Sequence, residues 1–489
     1  MVSSLDLDAA VVKSDTVIHP GLKEALKVAC APLEKVPNQD WHPGSDGQVL
    51  DLVHPSLFPL VYGRSRALPS GRMGLKGCEE FIGKGEIVKK PEESEGLTND
   101  PYRMGWMWGN RGANKFWSRD FQWLPCEVAF LKDNEIEIST YINNLHPAQH
   151  PHLYCVIERI MAKSIPLWDE VLSSVKALSN PRIDMESTEY EWPQGKEVPE
   201  DYTVPEDERD EFYGEDMDEY ERQEKWEKSS RVLVMPEPGL FKPFVYSERD
   251  KVDLKTQFAE QGLQIIVKLA NIELSPEKPD YEGGSWHVEG QMNEHICASA
   301  LYYYDSDNIT DSFLGFRHRI DNQTLEGKSY GQGDYGGVEQ IYGVEQNGPA
   351  IQELGRVLTK EGRLLAFPNV FQHRVSSFRL ADLAKPGHRK ILALFLVDPN
   401  IRVLSTANVP PQQKSWLSKD VLERTESLVE KTSRLPNELV NKILPDIPHS
   451  TMTLEEAKEI RLKLMKERKA FVEDVGKDMD RMTFNFCEH

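Results

Sequence analysis

In an extended strand, residues i and i+2 point to the same face. His287-Val288-Glu289 therefore sets one imidazole beside one carboxylate. A third donor must come from elsewhere in the chain. His373, in Phe367-Pro368-Asn369-Val370-Phe371-Gln372-His373 and 86 residues downstream of His287, is the best candidate. Two neutral imidazoles and one carboxylate on one face, with the other positions open, suit ferrous iron. The open positions can take a bidentate 2-oxo acid and dioxygen. An oxo acid with a second carboxylate needs a cation deeper in the fold. Arg389, sixteen residues after His373, begins the apolar stretch RKILALFLV, and a guanidinium can grip a carboxylate through two parallel hydrogen bonds. Period 2 groups Arg389 with Ile391, Ala393 and Phe395, and Lys390 with Leu392 and Leu394. The sequence does not say which group faces inward, so Arg379 and Lys390 are the alternatives.

Other polar residues offer weaker chemistry. Alternation puts Tyr302 and Tyr304 on one face and Tyr303 on the other. Packing in the core is the expectation for all three, with Tyr302 the candidate donor to the oxo acid. Arg317, in Phe316-Arg317-His318-Arg319, is a candidate partner for a substrate carboxylate, against an ordinary ion pair. Gln291 and Asn293 either face the mouth of the site or cap a turn. His146, His150 and His152 lie in HPAQHPH, a pattern expected to form a loop with local hydrogen bonds rather than a second metal site. Gly331 to Gly336 matches G-x-G-x-x-G, but no strand precedes it and no helical periodicity follows, so it reads as a flexible loop.

H-x-E, then His373, then Arg389 before an apolar strand, resembles the Fe(II)- and 2-oxoglutarate-dependent oxygenase superfamily. Longer segments, Gly284–Arg319, Asp51–Arg64, Phe121–Val128, Tyr141–Pro147, Leu435–Ile443 and the terminal Phe486-Cys487-Glu488-His489, look like a large, mostly fungal family of uncharacterised proteins with that core. The resemblance implies a double-stranded β-helix, or jelly roll. It also implies Fe(II) as cofactor, 2-oxoglutarate and O2 as cosubstrates, and oxidation of an aliphatic C–H by hydroxylation, desaturation or C–N ring closure. A small amino acid or natural-product intermediate from secondary metabolism is the substrate class it suggests. The superfamily usually has Asp where this chain has Glu289, one methylene longer. That carboxylate argues against the related halogenating branch, which lacks it. Two other readings stand beside this one, a non-catalytic jelly-roll scaffold and a cupin-like metal enzyme that does not use 2-oxoglutarate.

The elements that must position these residues are legible in outline. Strand patterns run over Leu263–Leu274, Ile296–Tyr304, Phe313–Arg319, Arg363–Phe367, Phe371–Phe378 and Arg389–Val397. Lys360-Glu361-Gly362, between Arg356–Thr359 and Arg363–Phe367, is a hairpin-turn signal. Glu127–Ile142 also alternates like a strand. Helical spacing marks His19–Ala31, Leu153–Leu178 with a break at Pro166, Trp416–Ser433 and Ser450–Lys469, where Thr453 and Glu456 form a capping box. The expected class is α+β. A mixed α/β region spans 1–180, an acidic insertion 181–250, a jelly-roll core 251–412 and a C-terminal helical extension 413–489.

Composition bounds the rest. The 489 residues carry 58 Lys+Arg and 80 Asp+Glu, a net charge of −22. Residues 181–230 alone hold 19 acidic and 6 basic residues, a net −13. Such a balance opposes phosphate-backbone binding, so a small molecule rather than nucleic acid is the expected partner. Six cysteines without a C-x-x-C pair fit reduced thiols. The N-terminal sequence has no signal or transit pattern, and no apolar run is long enough to span a membrane. A cytoplasmic protein with no membrane partner is the expectation.

Overall fold

Leu263–Leu274 is apolar on both faces, and a strand of that kind belongs in the middle of a sheet. In this computed structural model it does lie there. The structure describes residues 2–3, 11–92, 117–132, 135–177, 187–192, 227–237, 240, 245–320, 330, 333–417, 451–481 and 483–486. The strands used here are β1 (Val2–Ser3), β2 (Val12–Ser14), β3 (Val49–Val53), β4 (Cys126–Phe130), β5 (Ile136–Ile138), β6 (Leu263–Leu274), β7 (Ile296–Asp307), β8 (Phe313–Arg319), β9 (Ile351–Leu358), β10 (Leu364–Pro368), β11 (Gln372–Val375) and β12 (Gly387–Val397). The helices are α1 (Pro20–Glu34), α2 (Pro151–Ala177) and α3 (Leu454–Arg481).

A nine-stranded antiparallel sheet runs β1-β2-β10-β7-β12-β6-β4-β5, with β3 also paired to β6. A second sheet has the order β9-β8-β11. Period-2 alternation splits the large sheet between two cores. Ile265, Val267, Leu269, Leu392, Leu394 and Tyr302 pack with α1 and α2. Ile266, Leu301, Tyr303, Leu365, Phe367, Ala393 and Phe395 pack with Leu314 and Phe316 of β8, Val357 of β9 and Ala457, Ile460 and Leu464 of α3. This second face is called the inner face below. The chain divides into two units. One comprises Met1–Ser179, Phe244–His318 and Leu354–Asp478, and holds both cores; the other comprises Asn180–Pro243, Arg319–Glu353 and Met479–His489.

Five expectations need correction. Helix α2 continues through Pro166 instead of breaking there. Pro166 is on the solvent side, where water can satisfy the freed carbonyl, while Leu167 and Trp168 are fully buried. The Lys360–Gly362 turn does not close a hairpin, because β9 and β10 belong to different sheets. The turn is real, with Gly362 at φ +82°, but it carries the chain from one layer to the other. The G-x-G-x-x-G stretch runs into a short helix, Gly336–Tyr342, in the second unit. Phe371–Phe378 is two strands, Gln372–Val375 and Phe378–Arg379, and Glu127–Ile142 is likewise two. The capping box forms, with Thr453 Oγ1 accepting from the Glu456 N–H at 3.2 Å and Glu456 Oε2 from the Thr453 N–H at 3.0 Å. The helix expected over Trp416–Ser433 and most of the acidic segment lie outside the described residues.

Candidate metal centre

His287 and His373 face each other across an isolated antiparallel bridge and exchange both backbone hydrogen bonds, at 3.1 and 2.9 Å. Their rings are 4.3 Å apart, centroid to centroid. Glu289 Oε1 lies 3.4 Å from His373 Nε2 and 3.8 Å from His287 Nε2. One donor atom from each of the three lies within 4.8 Å of the others. With bonds near ~2.1 Å, adjacent ligands of a first-row metal sit about 3 Å apart, so these residues fit such an ion with small adjustments. His287 Nδ1 is 2.8 Å from the Ser285 carbonyl. Donation there leaves Nε2 free to ligate. Burial and the neighbouring His373 imidazole push the His287 imidazole down to about 4. Burial works to raise the Glu289 carboxyl, and the two imidazoles outweigh it and hold it down at about 2. His287 is thus neutral and Glu289 anionic at neutral pH.

The residues that position this set are not marked by the H-x-E pattern. Asn369 clamps the Glu289 backbone from both sides: its Oδ1 accepts from the Glu289 N–H at 2.8 Å and its Nδ2 donates to the Glu289 carbonyl at 2.8 Å. Gly290 follows at φ +73°, where a Cβ would meet Glu294 Oε2 and Ile296 Cδ1 at 2.8 Å. Glu294, fully buried, accepts from the N–H groups of Gln291 and Trp123 and pairs with Arg468 of α3. Gln291 and Asn293 belong to this turn. The Asn293 side chain bonds the Ser118 N–H and the Phe121 carbonyl, so it ties loops together rather than facing an opening. The signal that finds Asn369 is its place just after Pro368, where β10 ends.

Arg389 lies on the inner face, in step with Ile391, Ala393 and Phe395. It is fully buried. Nη1 donates to Ser312 Oγ at 2.6 Å and Thr359 Oγ1 at 3.1 Å, while Nε and Nη2 have no partner. No carboxylate pairs with it among the described residues. Its guanidinium lies over the rings of Phe378 and Tyr303, at 4.6 and 5.7 Å. Burial draws its pKa down, and Tyr303 and Tyr281 oppose that shift. Lys390 faces the other way and pairs with Glu34 and Asp305. Arg379 is exposed on a short strand.

Tyr302 is on the wrong face for the role expected of it. It packs among α1 and α2 residues, and Tyr303 is the tyrosine on the Arg389 side. The Tyr303 hydroxyl is buried without a partner. Arg317 is also elsewhere. Phe316 pairs with His373 and shares its face, whereas Arg317 pairs with Gln372 and points away. It donates to Gln372 Oε1 at 2.8 Å and lies 4.9 Å from the Trp286 ring. His146 Nδ1 accepts from the Ala148 N–H, and its ring lies against Trp416.

A second trio, His42, Asp51 and His54, also brings its donor atoms within 4.8 Å. No motif in the sequence announced it. Asp51 Oδ2 is 2.8 Å from His42 Nδ1 and 3.4 Å from Arg461 Nη1. His54 Nδ1 accepts the Ser56 N–H at 3.1 Å. Guanidinium charge already answers this carboxylate, and the His54 lone pair on Nδ1 is taken, so the trio suits hydrogen bonding better than an ion.

The model of a family described as "Protein of unknown function (DUF4246)" matches residues 1–420. No curated protein matches the chain. Among solved structures it is similar to the Fe(II)/(alpha)ketoglutarate-dependent dioxygenase TqaL, with 15% identity, a TM-score of 0.18, and 29% of this chain and 46% of that one covered. EvdO2 from Micromonospora carbonacea var. aurantiaca matches at 12% identity and TM-score 0.16, over 32% of this chain and 58% of that one. Procruciferin, an 11S globulin from Brassica napus, matches at 10% and 0.13, over 50% and 51%. The chain spans about half the length of the structures it matches. Overlaps this slight carry no functional argument, which falls to the geometry of the site. No helix among the described residues is long and apolar enough to cross a membrane.

Proposed function

The chain belongs to the DUF4246 family, and on that premise we propose that it is a non-haem Fe(II)- and 2-oxoglutarate-dependent oxygenase with a jelly-roll core. Its substrate is a small molecule, an amino acid or natural-product intermediate, oxidised at an aliphatic C–H by hydroxylation, desaturation or ring closure. The observation that carries the reading is Arg389. A buried guanidinium with two unsatisfied nitrogens and no carboxylate partner among the described residues costs several kcal/mol, a cost that a bound anionic ligand would remove. The far carboxylate of 2-oxoglutarate supplies the missing charge.

Each residue then has a task. His287, Glu289 and His373 hold the iron, and Asn369 keeps the Glu289 backbone in place. Arg389 grips the far carboxylate, with the unpartnered Tyr303 hydroxyl on the same side as a donor, while Thr359 holds the guanidinium by accepting from Nη1. Phe316 and Phe367, packed against each other and against His373, keep water from that side. Fe(II), when bound with 2-oxoglutarate and O2, supplies the oxidising power that no side chain has. The net charge of −22 argues against a nucleic-acid substrate, and a cytoplasmic site of action without a membrane partner goes with this reading.

The test is anaerobic titration of the Fe(II)-loaded protein with 2-oxoglutarate, followed by the visible charge-transfer band of the chelate. We expect a band that His373→Ala abolishes. Bound iron without a band, together with activity that survives Arg389→Ala, would replace this reading with a cupin-like one. Protein that binds no iron would favour a scaffold.

A further inference from the structure

Strand β6 is paired on both edges, to β12 and to β3. A residue at its centre should be covered, and Ile266 is. Yet Lys268 and Ala270, next along the same face, are only half-buried, as is Ile391, the partner of Ala270 on β12. The inner face is therefore open above Lys268, Ala270 and Ile391. Ala393, opposite Lys268, adds no bulk.

Beside this opening β3 makes an irregular step. Leu269 pairs with Val53 and Ala270 with Asp51, so one residue of β3 is extra. Leu52 and Val53 both turn into the core shared with α1 and α2. Asp51, opposite Ala270, and His54, one residue past Val53, are thereby brought to the Lys268 side. The His54 ring is buried and accepts the Ser56 N–H on Nδ1. Burial keeps it neutral, so its proton is on Nε2, where it can be donated.

Lys268 makes no ion pair or hydrogen bond with the described residues. Its positive charge favours the ionised Glu289 and Asp51 carboxylates and disfavours protonation of His287 and His54. A cation without an ion pair on a half-open inner face, on the side to which Asp51 and His54 are brought, is placed to meet an anion, and it is separate from Arg389. Arg389 is reached along β12, two steps past Ala393, while Lys268 is reached across to β6.

We propose that Lys268, with His54 beside it, anchors an acidic group of the substrate, so that this site takes a small carboxylic acid. The proposal rests on the oxygenase reading for its chemistry, but not for its binding test. That test uses matched pairs of short aliphatic acids and their primary amides. Binding to the metal-free full chain is read by saturation-transfer NMR. At least one acid should bind and its amide should not. Lys268→Met should weaken that acid about ten- to hundredfold, the usual worth of a charge-assisted hydrogen bond, and Lys268→Arg should restore most of it. The proposal is overturned if amides bind as well as acids, if no acid binds, or if Lys268→Met changes nothing. The chelate band of Lys268→Met, measured in parallel, should still form. A normal band with no acid binding sinks this inference alone, and an absent band in the parent sinks the oxygenase reading alone.

Discussion

Glu289 is held at its backbone more than at its side chain. Asn369 bonds its N–H and its carbonyl, and also donates to the Ile296 carbonyl. Truncating that amide leaves the carboxylate present but loosely aimed. Groups that orient a metal ligand are typically worth about 10–100-fold in affinity. Asn369→Ala should therefore lower iron affinity by about that factor, as measured by competition with a chromogenic chelator, while the thermal midpoint of the metal-free protein moves far less. Arg389 carries the opposite expectation. The unliganded protein bears the cost of a buried, unanswered charge. Arg389→Met should leave metal-free stability unchanged or raise it, by up to about 2 kcal/mol in denaturant melts, while 2-oxoglutarate binding is lost. A large destabilisation in that variant would mean that Arg389 is structural. At this scale the sequence marked His287, Glu289 and His373 as candidate ligands and Arg389 as the first of three candidate cations, because H-x-E and an apolar strand led by Arg are local patterns. It could not separate Tyr302 from Tyr303, since alternation groups residues without saying which group faces in.

Helix α2 shows how an element absorbs local conflict. It keeps Pro166 in its interior and places Asp169 where it accepts the Leu254 N–H at 2.8 Å. Burial pushes the Asp169 carboxyl up to about 7, with the Leu254 hydrogen bond acting against the shift. The folded state therefore holds a proton that the unfolded state releases at an ordinary carboxyl pKa of about 4. Stability from this group is present below that value and is lost as pH rises toward 7. Asp169→Asn keeps an acceptor and removes the titration. It should raise stability by about 1–3 kcal/mol at pH 8 and by little at pH 4, as read from urea melts at the two values. An equal effect at both would show that the carboxyl does not titrate in the fold. Boundaries of elements were legible where apolar runs were long, as in β6 and β12, and were not where two strands share one alternating stretch, as in β4 and β5.

For the whole molecule, ligands and fold are linked. A ligand that binds only the folded state stabilises it by about 2.7 kcal/mol at a hundred times its dissociation constant. Manganese or Fe(II) added anaerobically should raise the melting temperature of the parent protein, and 2-oxoglutarate should add a second increment. Arg389→Met should keep the first increment and lose the second, and His373→Ala should lose both. A 2-oxoglutarate increment that persists without metal would place its binding elsewhere. Sequence alone determined the residue types that can hold an ion, their alternation along strands, the acidic excess and the capped start of α3, because each depends on neighbours within a few positions. The tertiary structure decided which face of β12 is inward, that the Lys360–Gly362 turn changes sheets instead of closing a hairpin, that Asn369 and the Glu294–Arg468 pair steady the turn after Glu289, and that His42, Asp51 and His54 come together. Those facts turn on which distant strands pair and in what register. Burial over the whole chain settles that register, and no short window of residues contains it.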